Sequence, residues 1–369
     1  MSRLADDARD RYEHVVERIH TNHARVFSHA PPDKPSLVEV DHDICTKVSS
    51  IIAKRKIPLD REEISLAGIP SSLVGNFFLF LVAICHQTSP IGARRLEGRV
   101  NGKVLFGWDY LLAKFEQRAQ ADISLLEPRR WTEVTGDLVS EIFADDELGN
   151  LLTKNDERAG LIRNLGVGLQ QRDWYSADDI YDYCEGRVGS GHPNLLETLH
   201  EFQAYRDPVF KKTLFFLALM RNSGSWQFPD YHLMGAPVDY HEVRGHLRIG
   251  TVRVQNASLL QKIRDGDLVT SEEDIAIRRA VYEAILTISD LSGLGDPSRL
   301  HYYFWNIFRA VCLRENPLCV ATSQPALLPP RYQVPAAADG DILCPFEAVC
   351  TSAHQRNPII EHACITDFY

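Results

Sequence analysis

Apolar positions recur at helical spacing along most of the chain, and the strict alternation of a half-buried strand is scarce. Tyr12, Val15, Val16 and Ile19 line one face of a polar helix expected within residues 1–28, which Pro31, Pro32 and Pro35 bring to an end. The same periodicity predicts helices over 41–54, 77–87, 108–120, 132–144, 158–171, 176–186, 194–204 and 208–221. After a long connection at 222–237 it predicts four more, over 239–248, 257–264, 271–290 and 299–312. Asn76 is placed to cap the 77–87 helix. Glycines and arginines crowd 90–106, a loop or short hairpin facing a ligand, while 320–343, with four prolines, is expected to be an extended surface loop. The fold class is therefore mainly α.

Composition narrows the setting. The longest apolar run, Phe77 to Cys85, spans nine residues, too short to cross a membrane, and Asp6, Asp7 and Asp10 replace an apolar leader, so a cytoplasmic location is expected. Eight cysteines are too few for a disulfide scaffold in a chain of 369 residues. The formal charge of −10 counts against nucleic-acid binding unless cations gather on one face. Arg94, Arg95 and Arg99 with Lys103 form one such stretch; ordinary solvated surface is the plainer account of it.

Four cysteines carry the strongest chemical signal. Cys312 and Cys319 read Cys-x6-Cys, Cys344 and Cys350 read Cys-x5-Cys, and 24 residues separate the pairs. Four thiolates on short loops can hold a [4Fe–4S] cluster, one per iron; four-cysteine zinc sites also use paired cysteines, with tighter pairs. Cys85 and Cys184 sit among apolar or aromatic neighbours as core residues, and Cys364 is a possible substitute for one of the four ligands. Upstream, Val238-Asp239-Tyr240-His241 runs into Val243-Arg244 and Arg248-Ile249-Gly250. Lys211-Lys212-Thr213 opens an apolar stretch, and Leu79 to Thr88 is an apolar helix ending in His86-Gln87.

These motifs, in this order, resemble the helix-hairpin-helix (HhH-GPD) DNA glycosylase superfamily, of the iron–sulfur, endonuclease III-like type, as a divergent member. The resemblance covers roughly 70–90 and 200–350. The cysteine pattern departs from the family's Cys-x6-Cys-x2-Cys-x5-Cys in its enlarged middle gap. The hairpin glycines are also absent, Ala204 to Phe210 looking more like the divergent hairpin of archaeal 8-oxoguanine glycosylases. The resemblance implies two helical lobes, 70–236 and 1–69 plus 237–369, with double-stranded DNA bound across them by a monomer.

It also implies roles. Asp239 would stabilise the oxocarbenium-like sugar or activate water; read locally, Asp239 and Glu242 are a helix cap and its reciprocal partner. Lys212, or Lys211, would be an amine nucleophile; the plainer account is a solvent-facing pair at a helix start. Gln87 would fill the gap left by an extruded base, with Trp226 as a stacking wall and His241 supporting the catalytic helix. Arg314, the one basic residue between Cys312 and Cys319, would face phosphate. The activity implied is excision of a damaged or modified base, bulky or phage-type given the inserts, leaving an abasic site. An N-glycosylase for a modified nucleotide or RNA base, and a non-enzymatic lesion-binding iron–sulfur protein, are the alternatives.

Overall fold

The computed structural model describes residues 37–57, 66–145, 147–319 and 344–369; the expected helix at 1–28 and the spacer 320–343 lie outside them. The described chain opens with β1 (Val38–Val40) and α1 (His42–Ala53), then α2 (Val74–Ala83), β2 (Glu97–Val100), β3 (Lys103–Phe106) and α3 (Gly107–Ala121). Short helices α4 (Pro128–Trp131) and α5 (Gly136–Ile142) precede α6 (Asn155–Gln170), α7 (Ala177–Tyr183), α8 (Leu195–His200) and α9 (Lys211–Asn222). The remainder is α10 (Tyr240–Ile249), β4 (Val252–Val254), α11 (Ala257–Asp265), α12 (Ser271–Leu291) and α13 (Pro297–Ala310). The protein is mainly helical, as its periodicity predicts.

Three local expectations are corrected. The helix expected over 132–144 is shorter, α5 at Gly136–Ile142, because the Thr135 side chain accepts from Leu138 N and starts the helix there. Asn76 does not cap a helix; it lies inside α2, wholly buried, donating to Leu126 O at 2.9 Å and accepting from Ala177 N at 2.7 Å. An unexpected strand pair forms, β1 antiparallel with β4, while β2 and β3 make the short hairpin expected within 90–106, turning through Asn101-Gly102, both at positive φ as a two-residue hairpin turn requires.

The described residues fall into two compact units. One draws on Met1–Asp60 and Met234–Ile365, the other on Arg61–Leu233 and Thr366–Tyr369. In the first, Val48, Ile52, Val243, Val281, Ile285, Phe304, Phe308 and Phe346 are buried together as core. α10 crosses α13 where Gly245 stands; a Cβ there would lie 2.3 Å from the Phe308 ring, so only glycine allows the approach. In the second, Phe77, Phe80, Phe115 and Trp131 stack around α2, which is buried on every face from Gly75 to Ala83. The C-terminal four residues, expected with 237–369, group with this second unit because Tyr369 O accepts from Gln87 N at 2.9 Å.

Candidate catalytic and cofactor sites

In the first unit, α10 joins two features. At its start Asp239 is the N-cap: Oδ1 accepts from His241 N at 2.7 Å, and Glu242 Oε2 reaches back to Asp239 N at 3.2 Å, completing a capping box. Oδ2 accepts from the Trp305 indole N–H at 2.9 Å. The half-buried carboxylate is therefore held by donors on both oxygens, and Glu242 is itself anchored on His301 at 2.5 Å. The cap expected of Asp239 is present; it leaves the carboxylate oriented.

His241 packs against Tyr240 and Trp305, and its Nδ1 faces Arg244 Nη2 at 2.8 Å. Nδ1 must accept there, since guanidinium can only donate. Burial, then Arg244, Arg309 and Arg314, hold the ring neutral, with its pKa well below the ordinary value.

At the other end of α10 the four cysteines meet. Cys312, Cys319, Cys344 and Cys350 line one cavity with Arg248, Ile249, Phe308, Val311 and Pro358 among its walls. Leu318 N donates to Val311 O, closing the Cys312–Cys319 loop, and Cys350 N donates to Phe346 O in the second turn. Thr351 N and Ser352 N donate to Ile249 O and Arg248 O, fastening that turn to the end of α10. Gly250 permits this: it takes φ +93°, and a Cβ would lie 2.7 Å from the Thr351 side chain.

Arg248 donates to Cys312 Sγ at 3.3 Å and to the carbonyls of Leu313, Arg314 and Ile359. Arg244 reaches Cys312 O and forms a buried ion pair with Glu361 at 3.0 Å, and Arg314 takes the other Glu361 oxygen. Arg314 therefore has a buried carboxylate as its partner, and its guanidinium lies over the Tyr240 ring.

The residues present fit a thiolate-bound inorganic group. Burial and, after it, the neighbouring cysteines push the Cys344 thiol up to about 12 and Cys350 to about 11, so cationic compensation is what four thiolates here require. Their sulfurs are not drawn to single-ion spacing: among the described residues, the trio of ligand atoms within 4.8 Å of one another is Asp274, His362 and Cys364. Cys364 thus belongs to another cluster.

The second unit holds the lysine pair at the start of α9, and neither faces solvent. Asp207, buried, accepts from Val209 N and Lys211 N and so pins the start of α9. Lys211 is buried, with Nζ 3.6 Å from Cys85 Sγ and above the Phe215 ring. Lys212 is wholly buried, donating to Ala83 O at 2.6 Å and approaching His86 Nδ1 at 3.3 Å. Arg158, also wholly buried, donates to Ile84 O and, at 2.8 Å, to His86 O. Two cations thus satisfy the carbonyls that close α2. Burial brings the Lys212 amine down to about 7 and Arg158 to about 10. Burial, Lys212 and Arg158 keep His86 neutral, leaving its Nε2 toward Glu157 at 3.6 Å.

Gln87 follows at φ +52°, a left-handed conformation that costs a side-chain-bearing residue roughly 1 kcal/mol and recurs at functional turns. Beyond it, Arg94 pairs with Glu97 at 2.7 Å, Arg95 covers the Phe106 ring at 3.8 Å, and Arg99 pairs with Glu147 at 3.6 Å. Trp226 is core: 4% exposed, it donates to Asp178 and packs between Tyr181 and Phe216, so no face of it is open to a stacked base.

Trp305, Glu361, Asp207 and Arg158 escape the sequence reading. Trp305 has a faint signal in the aromatic run Tyr302 to Trp305; the others are ordinary charged residues whose partners lie far away in sequence. Among known proteins, no family model matches the chain and no curated protein matches it.

Proposed function

We propose that the protein is an iron–sulfur DNA N-glycosylase of the helix-hairpin-helix type that excises a damaged or modified base from double-stranded DNA and leaves an abasic site. One observation carries the reading: a single short helix, α10, bears a doubly anchored carboxylate at its N-cap and a four-cysteine cavity at its C-terminal end. Cysteines from two segments either side of the 320–343 spacer share that cavity, as the resemblance implies for a cluster-bearing loop.

Cys312, Cys319, Cys344 and Cys350 would hold the [4Fe–4S] cluster. Bound there, it supplies a structural brace, one sulfur ligand per iron, that fixes the segments around the end of α10. Asp239 supplies the chemistry. Loss of the base leaves positive charge on the sugar, and a carboxylate held by His241 N and Trp305 Nε1 keeps its orientation as that charge develops. Water, not Lys212, is the attacking group in this reading, because the Lys212 amine is enclosed and bonded to the end of α2.

The formal charge of −10 favours a second substrate class, a modified nucleotide or RNA base, since phosphate neutralisation supplies much of the affinity for duplex DNA. One experiment tests both. Bases released from a panel of duplex DNAs, including hypermodified phage genomes, and from modified nucleosides and RNA are identified by mass spectrometry for wild type and Asp239→Asn. Asn caps a helix about as well as Asp, so the variant is expected to fold. Base release from duplex DNA should fall by at least about a hundredfold, the scale of losing one transition-state stabiliser. Release only from free nucleosides or RNA would move the substrate to the second class, and turnover unchanged in Asp239→Asn would leave Asp239 a helix cap alone.

A further inference from the structure

A second group of ligand-type side chains lies in the first unit, apart from the four-cysteine cavity. Asp274 stands in the first turns of α12; His362, 88 residues away, and Cys364 come from the C-terminal segment. Their donor atoms, a carboxylate oxygen, an imidazole nitrogen and a thiol sulfur, all lie within 4.8 Å of one another.

Backbone geometry accounts for the convergence. Ala363 forms a parallel bridge with Leu268, and Val269 N donates to Ala363 O at 2.8 Å, holding this segment extended. In extended backbone, residues two apart project to the same side, which brings His362 and Cys364 together toward α12. Asp274 is braced from behind: Arg278, one turn on and wholly buried, donates to it through Nε and Nη2 at 3.0–3.2 Å. A carboxylate oriented by a hydrogen-bonding cation is a usual support for a metal ligand.

We infer that Asp274, His362 and Cys364 form a binding site for a single borderline divalent transition-metal ion of the Zn2+ class. Mixed oxygen, nitrogen and sulfur donors select such an ion over Mg2+ or Ca2+, which take oxygen ligands. His362 Nε2 and Asp274 Oδ1 are 2.7 Å apart, hydrogen-bond distance. An ion with ligand bonds of about 2.0–2.3 Å would replace that hydrogen bond, opening the pair by roughly half an ångström and displacing to solvent both the thiol proton and the proton on His362 Nε2. Asp274 and His362 are buried and Cys364 half-buried, so a fourth ligand, water or an exogenous donor, would enter from the cysteine side. The ion would tie the C-terminal segment to α12, and this inference stands independently of the glycosylase reading.

The test uses the full-length protein and zinc alone. After dialysis against buffered zinc, zinc and iron per chain are measured by mass spectrometry in wild type, Cys364→Ser and His362→Gln. We expect one zinc per wild-type chain, at least about tenfold weaker zinc binding in both variants, and unchanged iron, since neither variant touches the four-cysteine cavity. X-ray absorption on zinc-loaded wild type, which needs no variant to fold, should show one sulfur per zinc at about 2.3 Å with nitrogen and oxygen completing the shell. A four-sulfur shell, zinc retained equally by the variants, or no zinc on wild type would overturn the site and leave a hydrogen-bonded ion network.

Discussion

Lys212 shows how a residue can match a motif and still be committed elsewhere. Its sequence context, a lysine pair opening an apolar helix, fits an activated amine, and an amine brought down to about 7 has the reactivity such a role asks for. Burial is the cause, however, and the amine is spoken for by Ala83 O and His86 at the end of α2. The lowered pKa has a consequence for stability. Folded Lys212 titrates near 7 and unfolded lysine near 10.5, so between those values the unfolded chain binds more protons, and stability rises with pH. Over pH 7 to 8.5 this group should add about 1.5 kcal/mol to wild-type stability, a gain absent in Lys212→Met. Urea unfolding of both proteins at the two pH values checks it; parallel pH profiles would mean that the amine is not titrating in this window. Nothing in the sequence places Lys212 under α2, because its partners are backbone carbonyls that any residue could supply.

At the scale of elements, α10 was the most legible part of the chain. Its cap, its reciprocal Glu242 and its terminal Gly250 all stand in the sequence as standard start and stop signals, and its bounds follow within a residue. The late start of α5 was not legible, since it depends on one threonine hydroxyl, and Asn76 misled because buried asparagine and capping asparagine look alike in a sequence. What the pattern could not convey about Gly250 is its second duty. Beyond ending the helix at φ +93°, it leaves room for Thr351 and so lets the Cys344–Cys350 turn dock. Gly250→Val should therefore carry two penalties, about 1–2 kcal/mol for a left-handed β-branched residue and about 1–3 kcal/mol for crowding. Chemical denaturation measures the sum, and the variant should also retain less iron than wild type under the same chelator challenge. A loss under about 1 kcal/mol with iron unchanged would show that the turn docks without this contact.

At the scale of the whole molecule, cysteine spacing signalled a shared site, but not what assembles it. The two pairs lie on either side of 320–343, and nothing local to either pair brings them together. Arg248 gathers the Cys312–Arg314 backbone, the end of α10 receives the second turn, and Glu361, a residue with no motif around it, neutralises both Arg244 and Arg314. That lattice is built from protein groups alone, so in the proposed reading it would position the four cysteines and the cluster would be the last brace. Protein purified without oxygen should be brown and contain about four irons per chain. Cys350→Ala should lose iron and soluble yield together, because the turn it anchors contacts the end of α10. Glu361→Gln provides the contrast: all four thiols remain, but one buried carboxylate that balances two arginines is lost, at a cost of about 3–5 kcal/mol for an unmatched buried charge. It should therefore assemble the cluster during expression yet surrender iron to a chelator faster than wild type. Zinc bound stoichiometrically by the four cysteines, or no metal with all four intact, would refute the cluster, while Glu361→Gln releasing iron at the wild-type rate would show that the cysteines assemble without the arginine lattice.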